Sequence, residues 1–100
     1  MSRQGYVYIL VVSNKYTTED IGVFVGRNHY NRPVVYPMSY IQNAKQYKTY
    51  KGAHKQMIRL FTEMNCAFAV SMWYSRNWGH DWHRGSVCCT EEHADMNYEK

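Results

Sequence analysis

The sequence predicts an α+β domain: an antiparallel sheet of three to four strands with one main amphipathic helix packed on one face. Three observations predict it. Tyr6 to Val12, YVYILVV, is an unbroken apolar run rich in β-branched and aromatic residues, as a strand buried on both faces requires. Ala53, Met57, Leu60, Phe61 and Met64 recur at helical spacing, while Lys51, Lys55 and Arg59 recur every four residues on the opposite side. Cys66 to Tyr74 alternates with period two, as a strand does.

In chain order, Met1 to Gly5 is a polar lead-in to the Tyr6 to Val12 strand, which is expected at the centre of the sheet. Ser13 to Asp20 supplies a polar turn, and Ile21 to Gly26 returns as a second, antiparallel strand. Arg27 to Pro33 is a loop. Val34 to Tyr36 forms a brief extended piece ended by Pro37, and Ser39 is placed to cap a helical turn over Tyr40 to Lys45. Gln46 to Tyr50 reads as a short strand, because Tyr47 and Thr49 alternate with Gln46, Lys48 and Tyr50. Gly52 then turns the chain into the helix, and Asn65 is a left-handed stop.

In the strand after it, Cys66, Phe68, Val70, Met72 and Tyr74 share one side. Ala67, Ala69, Ser71 and Trp73 share the other, where small residues leave room for the helix. After Ser75 the chain becomes aromatic, acidic and without period, so residues 75–100 read as an irregular tail, with a short helix beginning at Thr90. All 100 residues form one domain.

Composition narrows the function. Ten tyrosines and three tryptophans supply much of the apolar bulk. Such side chains need partners for their OH and NH groups, and they suit both a thin core and a contact surface. The formal charge is +4. Lys45, Lys48, Lys51, Lys55 and Arg59 fall in one stretch with no acid among them, whereas Glu91, Glu92, Asp95 and Glu99 gather near the end. The basic stretch is either a nucleic-acid surface or a solvated helix face balanced by the tail. No run is long and apolar enough to span a bilayer, and no signal-peptide core precedes a cleavage site. A cytoplasmic location is expected, with Cys66, Cys88 and Cys89 reduced.

His80, His83, Cys88, Cys89 and His93 are of zinc-ligand type, but their spacing lacks the separated pairs of a standard finger. No metal, cofactor or catalytic residue is assigned. Trp78 and Trp82 are the expected anchors of a partner surface.

Two resemblances bear on function. Tyr6-Val7-Tyr8 followed by Phe24-Val25-Gly26 resembles the two strand motifs of GIY-YIG nucleases, with Phe24 where that family has a tyrosine. That resemblance implies Arg32 and Glu63 as the family's arginine and metal-binding glutamate. Residues 6 to 64 hold a strand, a strand ending in Val25-Gly26, and Asn43-Ala44-Lys45-Gln46-Tyr47-Lys48-Thr49 leading to Gly52-Ala53 and a basic helix. This arrangement is similar to small accessory proteins encoded by bacteriophages. It implies a module of the host cytoplasm that binds a host component and has no catalytic residues.

Three functions follow as expectations. The first is a non-enzymatic phage-type protein that docks on a host macromolecule, a protein, through exposed aromatics. The second is a nucleic-acid-binding module using Lys45, Lys48, Lys51, Lys55 and Arg59, with Tyr47 or Tyr50 stacking on bases. The third is a metal-dependent nuclease of the GIY-YIG kind.

Overall fold

A computed structural model of the chain describes residues 6–64, 68–76 and 81–88. Five strands form one antiparallel sheet: β1 (Val7–Asn14), β2 (Asp20–Arg27), β3 (Pro33–Pro37), β4 (Phe68–Ser75) and β5 (His83–Cys88). Their order across the sheet is β3-β2-β1-β4-β5, so β1 is central. A 3₁₀ helix (Met38–Asn43) follows β3, and the main helix α1 (Tyr50–Glu63) precedes β4.

The centre of the sheet is dry on both faces. On one face Leu10, Val12, Phe24, Val70 and Met72 meet Ala53, Met57, Leu60 and Phe61 of α1. On the other face Ile9, Val11, Val23 and Ala44 are covered by Met38 and Ile41 of the 3₁₀ helix and by Trp73 and Trp82. The uninterrupted apolar run of β1 is explained by this double cover.

The helix therefore packs on the Val70 and Met72 side of β4, not on the side of Ala69, Ser71 and Trp73. The bulkier side offers more apolar area to bury against Met57, Leu60 and Phe61. The small side serves a different fit. The Trp73 indole N–H donates to Ser71 Oγ at 3.0 Å, and the Ser71 hydroxyl donates to the Val11 carbonyl at 3.4 Å.

Turn chemistry closes the β1–β2 hairpin. Asn14 Oδ1 accepts from the backbone of Tyr16 at 2.8 Å and of Thr17 at 3.0 Å. Asn28 Oδ1 does the same in the β2–β3 loop, from Tyr30 at 2.9 Å and Arg32 at 3.1 Å.

The segment before α1 differs from expectation. Gln46 to Tyr50 is not a strand; Tyr47 alone makes an isolated antiparallel bridge to Tyr8. The helix takes over at Tyr50 because Thr49 caps it, its hydroxyl oxygen accepting from the Gly52 N–H at 3.1 Å. Gly52 lies in the first helical turn, and its missing Cβ makes room: one placed there would sit 2.9 Å from Thr49 Oγ1. The earlier helical turn is the 3₁₀ helix, which starts after Pro37 with no side-chain cap from Ser39.

The fifth strand lies in the segment expected to be irregular. Its lack of period is absorbed by a register shift opposite Ser71 to Trp73. Gly85 lets the two backbones close, since a Cβ there would meet the Met72 carbonyl oxygen at 2.6 Å. Asn65, Cys66, Trp78, His80, Cys89, the Thr90 helix and His93 lie outside the described residues.

Candidate functional site

Lys45, Lys48, Lys51, Lys55 and Arg59 are all exposed. Two of them converge, and the connection into α1 explains how. The Lys45 N–H donates to the Phe24 carbonyl at 2.9 Å, and Tyr47 and Tyr8 exchange backbone hydrogen bonds of 2.9 Å. These bonds hold residues 45–47 against the middle of β2 and the start of β1 just before the helix begins. Between this segment, β2 and α1 lies a cleft of about 270 Å³ lined by Phe24, Gly26, Arg27, Lys45, Tyr47, Gln56 and Arg59. Lys48, Lys51 and Lys55 are not among its lining residues.

Arg27 is the cleft residue that sequence reasoning missed. It stands in a loop in the linear pattern, far from the lysine stretch, and only the β2–α1 contact brings it in. Its guanidinium carbon lies 5.9 Å from the centre of the Phe24 ring. Nη2 donates to Glu63 Oε1 at 2.8 Å, while Nη1 donates to Glu63 Oε2 at 3.2 Å and to the Asn31 carbonyl at 3.0 Å. Arg59 Nε approaches Glu63 Oε2 at 3.9 Å. The Arg27 hydrogen bond holds the Glu63 carboxyl below its ordinary value, against a smaller upward push from burial, with Arg59 and Arg32 adding to the lowering. Burial raises the Tyr47 phenol, with Arg27 opposing it, so the ring is neutral at physiological pH and its hydroxyl is available to donate.

The charge balance of this site is decisive for its chemistry. Three guanidinium groups act on one carboxylate, and Lys45 adds a fourth cation at the cleft wall. Both Glu63 oxygens are engaged by Arg27. Among the described residues no three of His, Cys, Asp and Glu come together as a metal site would need. The donor set lining the cleft is cationic and suits an anion. His83 is exposed, with its ring 5.4 Å from that of Tyr74.

Trp82 is half-buried against the Ile9 and Val11 face, so its ring is engaged in packing. No helix among the described residues is long and apolar enough to cross a membrane.

No known protein family, curated protein or solved structure matches the chain. The functional reading is carried by its own residues.

Proposed function

We propose that the protein is a nucleic-acid-binding module. Its phosphate-binding surface is the exposed basic face of Lys45, Lys48, Lys51, Lys55 and Arg59, extended by Arg27. The observation that carries the reading is the cleft in which Arg27, Lys45 and Arg59 converge beside Tyr47, with no acidic side chain among its described lining residues and Glu63 paired to Arg27 behind it. Guanidinium groups held in place by packing are suited to phosphate oxygens, and a buried-edge tyrosine adds a stacking face. The wider +4 charge of the chain favours the same partner.

Fluorescence anisotropy with a labelled oligonucleotide at low salt tests this. Binding is expected, and Lys45→Ala with Arg59→Ala is expected to weaken it several-fold while the circular dichroism spectrum is unchanged. No binding at low salt overturns the reading.

A second reading is docking on a protein partner, a host protein if the chain is phage-encoded. It is favoured by Tyr36 and Tyr40, exposed at 41% and 50% and packed edge-to-face at 5.6 Å on the β3 edge. A partner recovered by affinity purification and lost on Tyr40→Ala would support it.

A further inference from the structure

Across the Tyr8–Tyr47 bridge from the basic cleft lies a second concavity, built mainly of tyrosine. Tyr8 of β1 and Tyr74 of β4 are paired in register, Tyr6 precedes β1, and Tyr50 opens α1. Together with Met72 and Gly85 these rings line a cavity of about 290 Å³. Tyr6 meets Tyr74 at 5.8 Å and 71°, and Tyr8 meets Tyr50 at 6.1 Å and 75°. Edge-to-face packing of this kind turns the rings into walls at differing angles instead of a closed stack. Gly85 leaves backbone where another residue would project a side chain. Burial, followed by the neighbouring Tyr6 and Tyr50, raises the Tyr8 phenol, so Tyr8 carries no charge into the pocket at physiological pH.

A pocket walled by tyrosine rings suits three kinds of guest: a methylated ammonium, a proline, or a nucleobase. The charges around it discriminate among them. Arg76 lies 5.1 Å from the centre of the Tyr6 ring, and its Nη2 donates to the Tyr6 hydroxyl at 3.3 Å. Lys48 and Lys51 are exposed beside Tyr47 and Tyr50 in the chain. No acidic side chain is among the described residues lining the cavity. The Arg76 cation at the Tyr6 wall disfavours an ammonium guest and leaves a proline without electrostatic gain. It attracts a flat ring that arrives with phosphates on either side.

We propose that the tyrosine pocket takes an unpaired nucleobase, so that the ligand is single-stranded nucleic acid running from this pocket over the Tyr8–Tyr47 bridge into the basic cleft. The proposal rests on the nucleic-acid reading and sharpens it, because a base stacked within a duplex cannot enter such a pocket. Stacking supplies affinity with little sequence preference, and the cleft supplies the salt-dependent part.

The test compares three labelled ligands of about ten nucleotides, a length within the range one small module covers. They are a thymidine strand, an abasic strand with the same phosphates, and a duplex. The thymidine strand is expected to bind about 5- to 150-fold more tightly than the abasic strand, the range for stacking one base. Tyr6→Ala with Tyr50→Ala is expected to erase that margin while leaving the abasic affinity unchanged. Lys55→Ala lowers both strands alike. Equal binding of all three ligands overturns the pocket assignment and leaves the basic face standing. A thymidine margin that survives the tyrosine substitutions also overturns it, as does displacement of the strand by a trimethyl-lysine peptide. No binding of any ligand at low salt overturns both readings. The wild-type comparison decides the matter even if the double variant does not fold.

Discussion

Glu63 is a lone acid held among arginines, and its two engagements pull in opposite directions for stability and for binding. Its pair with Arg27 is bidentate, with side chains 34% and 15% exposed respectively. Partial exposure limits the pair to about 1 kcal/mol or less. Because the folded protein holds this carboxyl below its ordinary value of 4.5, the contribution is complete above that pH. It disappears as pH falls through the lower folded value. Glu63→Gln is therefore expected to flatten the acid side of a stability-against-pH curve measured by urea unfolding. The same substitution removes the negative charge paired with Arg27 and Arg59 and releases Arg27. It is expected to tighten nucleic-acid binding a few-fold, read by anisotropy. A loss of binding would mean that Glu63 positions Arg27 more than it competes with the ligand.

At the scale of elements, α1 is fastened by packing more than by its own ends. Leu60 and Met57 are fully buried against β1, β2 and β4, and Thr49 is the sole side-chain cap at the N-terminus. Thr49→Ala is expected to lower stability by about 1 kcal/mol, whereas Leu60→Ala is expected to lower it by about 2–5 kcal/mol through the cavity it leaves. Chemical denaturation of the two variants checks the order. Much of this element was legible in the sequence. The apolar run of β1 is strong because both its faces are covered, the periods of β4 and α1 are strong because each buries a continuous face, and the lysines of α1 are wet as its spacing requires. The segment 46–50 misled because alternation over five residues is too short to separate a strand from a bridge followed by a capped helix. The Thr49-Tyr50-Lys51-Gly52 geometry, with a hydroxyl three residues before a small N–H donor, was the available signal. β5 was not legible, because His83–Cys88 pairs across a bulge and carries no alternation of its own. Nor was the face of β4 that receives α1, since small residues suggested room where bulk offered more burial. Arg27 and the tyrosine pocket were invisible for a different reason. Their members come from β1, β2, α1, β4 and β5, and only the strand order brings them together.

At the scale of the molecule, the two concavities flank one bridge, and the exposed cations run from the cleft along α1. The number of phosphates this surface meets can be counted by titration against salt. For single strands the logarithm of affinity falls by about 0.7 per logarithm of salt for each phosphate neutralised, so five contacts give a slope of about −3.5. Between about 50 and 200 mM salt that slope amounts to roughly a hundredfold loss of affinity. Each of Lys48→Ala, Lys51→Ala and Lys55→Ala is expected to make the slope shallower by about 0.7 without changing the thymidine-to-abasic ratio. Tyr50→Ala is expected to do the reverse, reducing the ratio and leaving the slope alone. That separation is the signature of a strand whose phosphates and bases are held by different parts of one surface. A slope near zero, or tyrosine and lysine substitutions that move both quantities together, would instead indicate that the cations are solvated side chains and that the rings and the charges do not share a ligand.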